Sequence, residues 1–428
     1  MKEVKLNPQL QSDPKLVGGK TSRRHFLALS LLTMTGLAQP AALAGRMLED
    51  KSGRRRCLVV LTLSGGNDGL NTVVPYGMGR YYDLRPKLAV KGETVLPLDG
   101  MVGLNPSMGE LAALYKEGKL AVVQGVGYPE PNRSHFRSIE IWQTAQPDII
   151  GDTGWLGRYL DLQDKSDLAS RMLAAVNIDP VLPKSLLARK ITVPSVYDLG
   201  DFRFKVDSHY QDDRERQLSC FRDIYKDYQF KGALAGQLVK TGLAASAASE
   251  KLHKLTADAA AKSSAAYPDG RLSASLRLIA QMVAGQVGAR VYTLQMDGFD
   301  THANQSRTHN SLLGNLSRSL KAFLDDLESR GVTDEVLVLV HSEFGRRAQE
   351  NDGRGTDHGA AAPCFVLGKG VKGGLYGEHP ELAANKLVQG DLGFKTDFRS
   401  VYAALLEDWL GSDARAILGR SFEKIPFV

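Results

Sequence analysis

The segment EVLVLVHSEFGRRAQENDGRGTDHG, residues 335–359, constrains this chain more than any other. Its apolar, β-branched run over 336–340 has the length of a buried strand. The run stops at His341-Ser342-Glu343, and Gly345 then allows a turn. In an open parallel α/β sheet, ligands sit beyond the carboxyl ends of the strands. Glu343 therefore projects into a cleft, and Asp357-His358-Gly359 returns to it from the following loop. The apolar stretch RVYTLQM, residues 290–296, ends in the same manner, with Asp297-Gly298-Phe299-Asp300-Thr301-His302. Carboxylates and imidazoles at two buried strand ends point to a metal site.

Two further segments join them. CLVVLTL, residues 57–63, runs into the glycine-rich turn Ser64-Gly65-Gly66-Asn67-Asp68-Gly69, which sets Asp68 at a third strand end. Read by itself, that turn needs no chemistry. The short strand over 120–126 leads into Tyr128-Pro129-Glu130-Pro131-Asn132-Arg133-Ser134-His135, where a helix begins near Asn132 or Ser134 and runs through Trp142. A hydroxyl at a helix N-terminus sits among unpaired N–H groups at the positive dipole end, which suits an oxyanion. Ser134 is thus either a plain N-cap or a metal-activated nucleophile, with Arg133, His135 or Arg137 holding the anion.

The remaining chain reads as frame. Helical spacing covers 106–117, 207–228, 233–265, 273–287, 311–330 and 398–410. Strands are expected over 172–178 and 362–368, and an edge strand or loop over 190–197, where Pro194 interrupts. Residues 290–341 make a strand–helix–strand unit of the right-handed kind. Residues 146–290 form a cap or inserted subdomain in the 45–428 domain.

The first 44 residues read as an address. Arg23-Arg24 precedes an apolar segment over 26–38, and Ala42-Leu43-Ala44 supplies small residues for a signal peptidase. This resembles a bacterial twin-arginine signal, read by the twin-arginine export machinery, and implies a periplasmic or exported protein. The apolar segment is shorter than the roughly 20 residues that span a bilayer, so no stable membrane span is expected after cleavage. The leader carries +4 of the formal net charge of +6, leaving +2 for the rest and no case for nucleic acid. Three cysteines without CxxC spacing fit neither a zinc knuckle nor a disulfide framework, and one bridge stays open.

Mixed carboxylate and imidazole ligands without thiolate suit zinc, manganese, iron or calcium. Two clusters of them would clamp an in-line phosphoryl or sulfuryl displacement between one or two divalent ions. The segments LSGGNDGLNTVVP, YYDLRPKLAV, PNRSHFRS with Trp142, MDGFDTH, SEFGR and GTDHGAAAP together resemble the exported proteins known as domain of unknown function 1501. That family in turn resembles, remotely, the alkaline phosphatase and sulfatase superfamily. The resemblance implies an alkaline-phosphatase-like α/β fold, a doubly wound, mostly parallel sheet with helices on both faces and an inserted middle region. It implies metal ligands at Asp68, at Asp300 and His302 with Asp297 as a further choice, at Glu343, and at His358 with Asp357 beside it. Ser134 is the nearest match to the superfamily's nucleophile. Phe344 stands where the superfamily carries a metal-binding imidazole, leaving His341 or Asp357 as substitutes.

Two functions follow as expectations. One is an exported hydrolase of small anionic phosphate or sulfate esters, in which a metal at Asp300, His302 and His358, and a second at Asp68 and Glu343, activates Ser134 or a water while Arg133 or His135 steadies the anion. The other is a non-catalytic exported binding or assembly protein on the same fold.

Overall fold

The long apolar runs of the sequence become strands of one eight-stranded sheet. The structure, a computed structural model, describes residues 56–428 except 164–167, 200–201, 203–210, 228–232, 261–264 and 380. The leader expected over 1–44 lies outside the described residues. In chain order the strands are β1 (Cys57–Leu63), β2 (Val73–Val74), β3 (Leu96–Pro97), β4 (Gly103–Leu104) and β5 (Leu120–Gly127). They continue with β6 (Ala175–Asn177), β7 (Val291–Met296), β8 (Val336–Ser342), β9 (Ala362–Leu367), β10 (Gly374–Tyr376) and β11 (Thr396–Asp397). The sheet order is β10-β5-β9-β8-β1-β7-β6, with β11 also on β5, while β2, β4 and β3 form a small separate sheet.

β1 pairs parallel with both β7 and β8, and β6 pairs parallel with β7. β9 runs antiparallel between β8 and β5, so β5 shares the direction of β8 and β1. The carboxyl ends of β1, β5, β7 and β8 therefore lie along one edge, the edge at which an open α/β sheet presents ligands.

Side-chain alternation explains why these strands read as unbroken apolar runs. On β1, Cys57, Val59, Leu61 and Leu63 face one core and Leu58 and Val60 the other. β8 repeats the pattern, with Val336, Val338 and Val340 opposite Leu337 and Leu339. A strand covered on both faces has no polar side to show. The first core is closed by α1 (Gly109–Lys116), and the second by α2 (His135–Thr144) and α3 (Trp155–Asp161). The charged helix α4 (Gln211–Asp227) follows, and then α5 (Ala233–Ala260), α6 (Arg271–Ala284) and α7 (Gln305–Ser329) complete the first covering layer. α8 (Phe398–Ala404), a π-helical turn over Leu405–Trp409, and α9 (Ala414–Leu418) complete the second. Residues 146–290 thus supply the edge strand β6 and helices to both layers.

Two segments differ from the sequence expectation, and a third, 190–197, takes its loop alternative. α7 starts at Gln305, six residues before the apolar periodicity becomes visible, because its first turns carry Gln305, His309 and Asn310 on polar contacts. Residues 190–197 contribute a single bridge between Ser195 and Asn177 and no strand. The helix expected over 398–410 changes to π-helical winding from Leu405. The three cysteines are free, so the open disulfide does not form. Among the described residues no helix is long and apolar enough to cross a membrane.

Candidate metal centre

Three loops and one helix terminus build the site from the strand ends. After β7, Gly298 at φ +106° turns the chain, Phe299 buries itself as an anchor, and Asp300 and His302 emerge on either side of Thr301. This loop lies directly on the loop after β1. A Cβ on Gly65, itself at φ +115°, would come within 2.4 Å of the Asp300 backbone nitrogen. After β8, the connection to the antiparallel β9 doubles back on itself. Arg346 bridges His358, and the Gly345 N–H donates to the Ala360 carbonyl at 2.9 Å. That stem returns His358 to the strand end it left. From β5, Ser134 takes the N-cap position of α2 and His135 is the first helical residue.

Each of three imidazoles is held from behind through Nδ1. His135 Nδ1 lies 2.8 Å from Glu343 Oε1, His358 Nδ1 lies 2.8 Å from the Arg133 carbonyl, and His302 Nδ1 lies 3.4 Å from Asp357 Oδ1. A carbonyl or carboxylate oxygen only accepts, so the network assigns the proton to Nδ1 and leaves Nε2 as a lone pair. The three Nε2 atoms face Asp300. His358 Nε2 is 3.1 Å and His302 Nε2 is 3.0 Å from Oδ1, and His135 Nε2 is 3.6 Å from Oδ2. His302 and His358 bring their Nε2 atoms within 2.9 Å of each other. His135 Nε2 is buried without a hydrogen-bond partner. Lone pairs and a carboxylate aimed at one point repel one another unless a cation stands among them. His135, Asp300 and His358 present ligand atoms all within 4.8 Å of one another, a triad of metal-binding type.

Charge supports the same assignment. Asp300 accepts from Arg346 Nη2 at 2.6 Å. Burial alone would raise the Asp300 pKa, but the hydrogen bond and charge of Arg346 bring it below the usual carboxylate value. The Arg346 guanidinium is fully buried and also donates to the carbonyls of Gly65, Gly66, Phe299 and Thr356. With carboxylates charged, Asp300, Glu343 and Asp357 against Arg346 leave the cluster two negative charges in excess, the charge of one divalent cation. A carboxylate behind a ligating imidazole is the usual outer support of a metal site.

The sequence profile of the family described as protein of unknown function (DUF1501) matches residues 55–392. The chain belongs to this family. No curated protein matches it by sequence. Among solved structures, the PsFucS1 sulfatase from Pseudoalteromonas sp. is 14% identical with a TM-score of 0.36, over 80% of this chain and 68% of its own. Ps i-CgsB in complex with k-i-k-neocarrahexaose is 10% identical with a TM-score of 0.33, over 84% and 78%. Likeness at this level bears on neither the site nor the activity.

In this DUF1501 chain the residues singled out from the sequence take different places. Asp300, His302 and His358 come together, and His135, expected to steady an anion, joins them with its Nε2 inward. Glu343 stands behind His135, its Oε1 also accepting from the Gly65 N–H at 2.9 Å. Asp357 is exposed behind His302, its pKa lowered by the Asn351 hydrogen bond first and by His302 after it. Asp297 turns outward to the Gln295 amide, at 2.7 Å. Asp68 is fully buried in an ion pair with Arg85 at 2.5 Å and also accepts from Gln305. Burial raises the Asp68 pKa, but the charge and hydrogen bond of Arg85 bring it below the usual carboxylate value. Arg85 and Gln305 both reach Asp68 Oδ2, and Asp68 Oδ1 is buried without a hydrogen-bond partner.

Arg133 pairs with Asp391 through Nε and Nη2, the latter at 2.6 Å. Ser134 is exposed and its side chain makes no capping bond. Phe344 packs its ring 4.9 Å from His135 and 4.8 Å from His358, a wall between two imidazoles. His341, the substitute ligand considered for that position, is buried under Trp142 with rings 4.8 Å apart, and burial brings its pKa down to about 4. The sequence reading passed over Arg346 and Gln305. Arg346 sits inside the SEFGR segment, and Gln305 is hidden in the polar first turn of a helix.

Proposed function

We propose that this protein is an exported, metal-dependent hydrolase of phosphate or sulfate esters that works with a single divalent ion. The observation that carries the reading is the approach of three imidazole Nε2 atoms to the Asp300 carboxylate, with His135, Asp300 and His358 forming the triad of metal-binding type and each imidazole fixed from behind. His135, His302, His358 and Asp300 would hold the ion. A nitrogen-rich donor set of this kind suits zinc, manganese or iron, whereas calcium takes six to eight oxygens. A divalent ion there supplies Lewis acidity toward an ester oxygen.

The chain's own groups do the rest. Ser134 offers an exposed hydroxyl one residue before the ligand His135, at the positive end of α2, where an anionic group is favoured. Glu343 and the Arg133 carbonyl accept from Nδ1 of His135 and His358 and so turn their Nε2 atoms toward the ion. Arg346 pairs with Asp300 and, with its donors directed at protein oxygens and with Nη1 3.5 Å from His302 Nε2, has none left for substrate.

A second reading, a non-catalytic exported binding protein, is favoured by one observation. Among the described residues no side chain bonds the Ser134 hydroxyl, so no base is in place to take its proton. Metal content and hydrolysis of p-nitrophenyl phosphate and p-nitrophenyl sulfate, measured on the exported protein and on His358→Ala and Ser134→Ala, separate the two. Bound ion with turnover, both lost in His358→Ala and turnover alone lost in Ser134→Ala, supports the hydrolase. Bound ion without turnover on any ester supports the binding protein.

A further inference from the structure

The two ligand-bearing loops, 300–302 and 356–358, are held in register by a side chain that touches no ligand. Gln305 is fully buried at the first turn of α7. Its Oε1 accepts from the Thr356 hydroxyl at 2.6 Å and from the Thr301 hydroxyl at 3.1 Å. Thr301 lies between Asp300 and His302, and Thr356 lies two residues before His358. On its other side Gln305 Nε2 donates to Asp68 Oδ2. Asp68, ionised by its pair with Arg85, only accepts. It therefore fixes which end of the carboxamide faces the threonines, and so fixes their hydroxyls as donors.

We infer that Gln305 is a positioning residue of the metal centre, a carboxamide clamp that works beside Arg346 to set the spacing between the Asp300–His302 and Asp357–His358 loops, with Asp68 as the group that orients it. The inference rests on the metal reading of the site. The loops also meet through the backbone, with Thr356 N–H to the Thr301 carbonyl at 3.3 Å, Asn304 N–H to the Gly353 carbonyl at 3.0 Å and Gln305 N–H to the Arg354 carbonyl at 2.9 Å, through the Asn351 amide on the His302 carbonyl at 3.1 Å, and through Arg346, which donates to the Phe299 and Thr356 carbonyls. They also run so close that a Cβ on Gly355 would lie 2.2 Å from the His302 backbone, so a small relaxation changes the spacing of the ligands. Asp68, which the sequence placed at a metal, would thus act on the metal at one remove, through Gln305.

The test is zinc and manganese affinity, by calorimetry with chelator competition, on the whole exported protein and its variants, with thermal unfolding of each. Gln305→Met and Thr356→Val are expected to weaken the ion about 10- to 100-fold, the usual effect of losing an outer support. Thr356→Ser keeps the hydroxyl and is expected to restore binding to within about twofold of the unaltered protein on the same reasoning. Tyr81→Phe removes bonds to Asn71 and Val90 at the far side of the Asp68 network, and is expected to lower Tm without moving the affinity. Unchanged affinity in Gln305→Met, or an equal loss in Tyr81→Phe, overturns the clamp. If the unaltered protein binds neither ion, the metal reading itself falls and takes the clamp with it, so the two failures are distinguishable.

Discussion

Asp68 and Asp300 begin as equivalents: each follows a parallel strand of one sheet, and each carboxylate meets a fully buried arginine, Arg85 or Arg346. Their surroundings then diverge. The Asp68 side chain is wholly buried and shares one oxygen between Arg85 and Gln305, whereas the Asp300 side chain is 48% exposed and faces three imidazoles. A carboxylate without solvent, matched by a guanidinium, serves the fold. One left half open among lone pairs is available to a cation. Position at a strand end offers a carboxylate to the cleft, and burial against a counter-charge decides whether the cleft receives it.

The sharpest way to break this comparison is to remove each carboxylate. Asp68→Ala leaves Arg85 buried without its counter-charge and is expected to cost about 3–5 kcal/mol of stability by urea unfolding. A loss under about 1 kcal/mol would show that Asp68 is not the structural member of the pair. Next comes pH. His309, which contacts Asn67 beside Asp68, has its pKa lowered to about 4, by burial first and by Arg85 and Arg346 in addition, against the pull of Asp68. The unfolded chain takes up this proton near pH 6.5 and the folded protein only near 4. The stability from keeping His309 neutral is therefore complete above 6.5 and lost as pH falls toward 4, on the order of 3 kcal/mol. His309→Gln is expected to flatten that part of the stability–pH curve, and an unchanged slope would place the acid sensitivity elsewhere.

Asp300→Ala is expected to cost only about 1 kcal/mol, since the lost partner is half exposed and Arg346 keeps its carbonyl acceptors. It should nevertheless abolish ion binding, read by calorimetry. A stability loss as large as that of Asp68→Ala would erase the distinction between the two residues. Smallest of all, Ser134→Ala is expected to leave stability within about 0.5 kcal/mol, because the hydroxyl makes no capping bond. Turnover of p-nitrophenyl esters would be lost in that variant with ion affinity intact.

The sequence by itself determined the sheet and the edge where the site lies. Runs such as 336–340 and 58–63 have few alternatives to a strand covered on both faces, and the residues that end them must fall at the carboxyl edge. The placing of Asp300 and His302 just beyond β7 was legible for the same reason, whereas His358 reaches the same edge through the stem at Gly345 and Ala360. Only the tertiary structure decided which remaining acids and imidazoles face the candidate site and which are turned to the protein. Glu343 is turned to His135 from α2, and Asp68 is paired with Arg85 and reached by Gln305 from α7. Those partners come from distant segments, and a carboxylate's role is fixed by the donors that reach it and the water that does not. Neither is written in the residues beside it.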